Sequence, residues 1–202
     1  MSPTDARVAA AQRRELARAR AAVASQAMTD IALVRRRPWV TARPTGALAV
    51  DVEFEQYGRQ WHLVSDEALE RGGSELGPSP MRYLLAGMSA CLIGWVVKIA
   101  DEQSERVEIT DLTIRTMLDM RGENAIADVP AHPEWFVVDV TLADDSAANS
   151  LSIVRSAIKR CPLTSLVSTA APTHVLVRQG ARIIADDRPE QIRAADDEEL
   201  TR

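Results

Sequence analysis

Cysteine is scarce in this chain, with two in 202 residues. A disulfide framework is excluded at that number, and a chain of this length buries a sizeable core without one. A lone pair in a reducing compartment is left with redox chemistry, metal binding or no task. Metal binding has little to work with, because His62, His132 and His174 are scattered and no short Cys/His ligand spacing occurs. Long basic runs are missing too, and the formal net charge is −5. The local exception "VRRRP" (Val34 to Pro38) reads as a solvated turn, so a nucleic-acid partner is not expected. The charged, Ala-rich N-terminus lacks the apolar core of a secretory signal. Internal repeats and low-complexity blocks are absent.

Against these absences stands one long apolar run, "MRYLLAGMSACLIGWVVKIA", from Met81 to Ala100. Its uncharged centre, Tyr83 to Val97, falls short of the roughly 20 apolar residues that span a bilayer. Arg82 and Lys98 flank it closely, so a buried core helix in a cytoplasmic protein with no membrane partner is expected.

Around this run the pattern is mixed. Residues 3–28 are rich in good helix formers and present only an alanine face, which predicts a peripheral helix. "RRRPWVTARPTG" then breaks the pattern, closing an N-terminal extension and linker over 1–46. "ALAVDVEFEQ" alternates apolar and charged residues, "YG" marks a turn, and "RQWHLVSD" returns as the second strand of a hairpin. A Gly/Pro/Ser-rich loop follows, with Ser79-Pro80 set to open the apolar helix. Strands are expected over 105–120 and 135–144, a helix over 146–161 halted by Pro162, and one final strand over 172–184. The order predicts one α+β domain over 47–185, with a mainly antiparallel sheet and helices on one side. The acidic tail, 186–202, reads as flexible.

The two cysteines sit in distinct settings. On the apolar helix Ala86, Ala90 and Gly94 recur every fourth residue, as do Gly87 and Cys91, a spacing that lets a second helix approach closely. Read by itself, Cys91 fits inert core better than reactivity, since free cysteine is among the most buried residue types. Cys161 follows Lys159 and Arg160, cations that stabilise a thiolate, and precedes a proline at a helix end.

These two settings together carry a resemblance. "SPMRYLLAGMSACLIGWVVKIA" resembles the central-helix signature of the OsmC/Ohr family, a Pro-led helix with a cysteine after small residues. "AIKRCPLTSLV" resembles its second signature, a Cys-Pro at a helix junction. The resemblance covers about Leu48 to Ile184. It implies an OsmC-like fold with a sheet on a long central helix, and a swapped homodimer. It also implies thiol-dependent reduction of organic hydroperoxides, in which Cys91 attacks the peroxide, becomes a sulfenic acid and is resolved by Cys161 as a disulfide. An external dithiol would restore both thiols, and no cofactor is required. That chemistry needs a depressed thiol pKa and a second thiol that forestalls over-oxidation.

The chain departs from the family at one point. Where the peroxidases carry a Glu after the helix-opening proline, paired with an Arg from the first hairpin, this chain has Met81. Arg59, beside the hairpin turn, and Arg82 are the cations offered as substitutes. Arg82 lies about 13 Å along the helix axis from Cys91. Met88 and Trp95 are expected to line an apolar substrate pocket. Two alternatives stay open: a Cys91 hydrolase with His174 as base, and a non-catalytic protein binding a small apolar ligand on the same fold.

Overall fold

The computed structural model describes residues 3–199, leaving 1–2 of the expected extension and 200–202 of the expected tail outside the described residues. The described chain divides at the second turn of the apolar helix into two compact units, Met1–Ala86 and Gly87–Arg202, where the sequence pattern predicts a single domain.

The first unit opens with helix α1 (Pro3–Thr29) and a 3-10 turn, Ile31–Val34. From Gln12 onward α1 exposes its side chains, apart from the half-buried Leu16 and Arg20. Strands β1 (Thr41–Pro44), β2 (Val50–Gln56) and β3 (Arg59–Ser65) form an antiparallel sheet in that order. The β2–β3 hairpin closes between Gln56 and Arg59. Tyr57 and Gly58 both adopt positive φ, 58° and 68°, the two-residue turn whose twist matches paired strands. β1 was not expected, because its "TARP" carries no alternation.

The loop after β3 is organised by Asp66, only 2% exposed. Its carboxylate accepts the N–H groups of Glu67, Ser74 and Leu76 at 2.8, 2.9 and 3.2 Å. Burial works against that charge, and the three donors outweigh it and hold its carboxyl below the usual carboxylate range. The loop delivers Ser79 to the start of α2 (Pro80–Glu102), where its carbonyl accepts the N–H of Arg82 at 3.0 Å. Pro80 takes the first helical position, where no N–H is needed. The Tyr83 hydroxyl donates to the Val64 carbonyl at 2.7 Å and ties the helix start to β3.

The second unit contains the rest of α2, then β4 (Ile109–Met117), the short α3 (Met120–Glu123) and β5 (Trp135–Leu142). Helices α4 (Ser150–Arg160) and α5 (Pro162–Ala170), strands β6 (Thr173–Gln179) and β7 (Arg182–Asp186), and helix α6 (Glu190–Glu199) complete it. The sheet runs β4-β5-β6-β7. The fold is therefore α+β, but with two sheets in place of one. All pairings are antiparallel except β5–β6, which the α4–α5 crossover allows to run parallel. β5 is buried on both faces, which suits its near-continuous apolar run. The final strand expected over 172–184 is a hairpin, turned at Gly180 with φ 56°.

The tail expected to fray is instead helical up to Glu199. Asp196 is 1% exposed and binds Arg115 of β4 and Arg188, so α6 covers the sheet face that carries Arg115 and Asp139. The acidic composition suggested solvent exposure; Arg188 within the tail and Arg115, far away in sequence, neutralise it.

Candidate active site

Helix α2 buries Met88, Leu92, Val96, Ile99 and Ala100 at helical spacing. Cys91 lies beside this stripe and is half-buried. By length and composition α2 could also cross a membrane, and only 28% of its apolar window is buried. The expectation of a buried core helix thus holds for one face. Ala86, Ala90, Ile93 and Val97 form an exposed stripe on the same helix.

Cys161 comes from the opposite direction. It closes α4 and caps α5, with no residue to spare between the two helices. The amphipathic face of α4 buries Ile153, Val154 and Ala157, which fixes how its last turn meets α2. Arg160 then grips Glu102 of α2 at 2.5 and 3.0 Å, and its guanidinium carbon lies 4.9 Å from the Trp95 ring centroid. Lys98 Nζ also lies 4.9 Å from that centroid. The result is that Cys161, fully buried, lies near enough to Cys91 for each thiol to influence the other despite their separation in sequence.

The two thiols are not equivalent. Burial pushes the Cys91 thiol up, and the neighbouring Cys161 sulfur adds to this; the Leu163 N–H and the Lys98 charge act the other way. Burial alone would also raise Cys161. It is outweighed by donors: the Thr164 hydroxyl and N–H, the Cys91 thiol and the Leu163 N–H, which bring Cys161 below its ordinary value. Leu163 and Thr164 are the second and third residues of α5, whose amides have no partner within the helix. Pro162 before them has no N–H to offer.

The structure thus brings Cys91, Cys161 and Trp95 into one cluster. Met88, expected with Trp95 to line a pocket, is fully buried. Arg59 begins β3 and Arg82 lies in the first turn of α2; both are exposed members of the first unit. Their part in the chemistry rests on the resemblance alone. His174, the alternative base, lies on β6 in register with Val137, with Nδ1 3.9 Å from Asp187. Among the described residues no group of three or more His, Cys, Asp or Glu is placed to hold a metal ion. Lys98 and Thr164 were missed from sequence. Lys98 follows Cys91 by two helical turns, a spacing that was legible. Thr164 stands three residues after the cap, where a hydroxyl falls back on the first turn.

The OsmC-like protein family model matches residues 72–176, half of the chain. No curated protein matches. Among solved structures, an OsmC-like protein from Mycoplasma pneumoniae superposes with a TM-score of 0.56 at 13% identity, covering 71% of this chain and 99% of that one. A Psychrobacter arcticus protein described as an osmotic stress induced and detoxification response protein gives 0.54 at 14% identity, covering 71% and 98%. An organic hydroperoxide resistance protein from Elizabethkingia anophelis gives 0.53 at 14% identity, covering 72% and 99%. At these identities the likeness is one of fold.

Proposed function

From the premise that this chain belongs to the OsmC-like protein family, we propose that it is a cysteine-based peroxidase that reduces organic hydroperoxides in the cytoplasm. Solved relatives named for organic hydroperoxide resistance favour a peroxide-related redox role. The observation that carries the reading is the direct approach of the chain's two cysteines, Cys91 and Cys161. Cys91, the more accessible, attacks the peroxide and becomes a sulfenic acid, and Cys161 resolves it as a disulfide. A small dithiol then restores the pair by thiol–disulfide exchange.

The same proposal includes a homodimer. Ala86, Ala90, Ile93 and Val97 leave a stripe of α2 uncovered, and a Cβ added at Gly94 would meet nothing within 4 Å. Glycine costs a helix interior about 1 kcal/mol relative to alanine. Open space beside such a residue suits the close approach of a second helix. Sedimentation at micromolar concentration checks the dimer, and a stable folded monomer contradicts it.

The chemistry is checked by adding one equivalent of cumene hydroperoxide to the reduced protein. Both thiols should be consumed, with a mass loss of two hydrogens and a Cys91–Cys161 linkage in the peptide map. Two surviving thiols at unchanged mass refute the peroxidase and leave a binding protein on this fold.

A further inference from the structure

We propose that Arg160 is a positioning residue for the thiol pair: held by Glu102 and stacked on Trp95, it seats Cys161 against Cys91 and so sets how readily the two close into a disulfide. This rests on the reading of Cys91 and Cys161 as a redox pair and adds to it the device that aligns them.

Three contacts tie the α4–α5 segment to α2, and they fall in order along both. At the start of α4 the Asn149 side-chain amide donates to Gln103 Oε1 at 3.1 Å, just past the end of α2. At the end of α4 the Arg160 guanidinium carbon lies 4.9 Å from the Trp95 ring centroid. At the start of α5 Leu163 lies against Gly87, where an added Cβ would come 3.7 Å from its Cδ1. The segment therefore runs back along α2 from its end towards Gly87. Cys161 stands between Arg160 and Leu163 in the chain, and Cys91 stands midway between Trp95 and Gly87, about one helical turn from each. The contacts bring Cys161 to the level of Cys91.

Helix α4 does not by itself decide where Cys161 sits. That residue has left the helical conformation, with φ −70° and ψ 119°, and Pro162 after it has no N–H to tie down. The side chain next to it supplies the constraint. Arg160 meets Glu102 with two bonds, Nη1 to Oε2 at 2.5 Å and Nη2 to Oε1 at 3.0 Å, a planar fork that lysine cannot reproduce. Glu102 lies about 16 Å along the helix axis from Cys91. The guanidinium is thus drawn away from the sulfurs and its charge is met by a carboxylate. The cation beside Cys161 serves alignment, not ionisation. Alignment matters because a disulfide closes only when the Cα atoms stand roughly 4.4–6.8 Å apart with suitable side-chain directions.

The test equilibrates the full-length protein, without peroxide, in mixtures of reduced and oxidised dithiothreitol. Closing the Cys91–Cys161 bond releases two protons and two electrons, which convert one oxidised reagent molecule to its dithiol. Acid quenching, alkylation of the remaining thiols and intact mass give the oxidised fraction. The side chains of Arg160 and Glu102 are 46% and 26% exposed, so the clamp is worth what a well-aligned surface pair is worth. Arg160→Gln should make the disulfide about fivefold harder to form than in wild type, which for a two-electron couple is roughly 20 mV. Arg160→Lys, which keeps the charge and loses the fork, should recover only part of that shift. Glu102→Gln separates alignment from charge: it should hinder closure as Arg160→Gln does, whereas an arginine acting through its charge would shift the two variants in opposite directions. Opposite shifts overturn the proposal, as do full recovery in Arg160→Lys and a wild type that forms no Cys91–Cys161 disulfide in any mixture. Lower urea stability in Arg160→Gln with an unchanged redox equilibrium shows a structural ion pair only and also overturns it. The expected shifts in a protein that ignores peroxide refute the peroxidase reading and leave the positioning role in place.

Discussion

Replacing Asp196 by alanine tests whether the acidic C-terminal segment is structural. Its carboxylate accepts from Arg115 Nε at 2.6 Å, Arg115 Nη2 at 2.8 Å and Arg188 Nη1 at 2.7 Å. Both arginines are largely buried and retain other partners: Arg115 keeps Asp139, and Arg188 keeps Asp186 and Asp197. Three charge-assisted bonds at about 1.5–3 kcal/mol each set an upper limit near 9 kcal/mol. The surviving carboxylates reduce that, and breaking one member of a buried ionic network costs about 3–5 kcal/mol. A chain of this size loses roughly 2–4 °C in Tm per kcal/mol, so a fall of about 6–20 °C is expected. Urea unfolding followed by circular dichroism measures the free energy directly, and truncation after Pro189 should cost a similar amount. A frayed tail would instead leave stability within about 0.5 kcal/mol. A loss below about 1 kcal/mol for both variants would show that α6 does not hold the sheet.

Three further outcomes are expected. The carboxyls of Asp186 and Asp196 are held below the usual range, the first by its hydrogen bonds to Arg188, the second by Arg115 and Arg188 against the opposing effect of burial. Depressed values give stability that is full above the unfolded carboxylate value, about 3.9, and is lost as pH falls through the folded values; acid unfolding should therefore begin below about pH 4, with a flatter acid limb in Asp196→Ala. Gly73→Ala should destabilise the loop before α2 by about 2 kcal/mol or more, since its Cβ would lie 1.9 Å from the Glu67 carbonyl oxygen; an unchanged urea midpoint would contradict the packing. Removing residues 3–29 should leave the remaining chain folded, with stability changed by no more than about 0.5 kcal/mol, because α1 exposes its side chains from Gln12 apart from half-buried Leu16 and Arg20; loss of the folded signal would refute its peripheral place.

Much of the fold was legible because it is written in local patterns. The β2–β3 hairpin follows from alternation and from Tyr57-Gly58, and α2 follows from Ser79-Pro80 and an uninterrupted apolar run. What was not legible depends on partners far along the chain. Nothing in "DDRPEQIRAADDEEL" announces that Arg115, on a distant strand, will neutralise Asp196. The Gly180 turn was missed because the apolar residues continue on both sides of it. At the site both cysteines could be named from their settings. The inequality between them could not, because it arises from the Leu163 and Thr164 donors and from burial, which only the meeting of α2 with the α4–α5 turn creates.

That meeting bears on why Met81 can stand where the resemblance expects a glutamate. A thiolate needs hydrogen-bond donors and a favourable potential, and no rule requires a guanidinium held by a carboxylate to supply them. Here the Leu163 and Thr164 amides open α5 just after Cys161, and Lys98 lies two turns beyond Cys91 on the same helix. Backbone amides at a helix start are fixed by the fold and cannot be lost by substitution, apart from proline. A site that draws its charge stabilisation from them is insensitive to the identity of residue 81. Met81 then argues against the peroxidase reading only if neither cysteine ionises below the ordinary cysteine range.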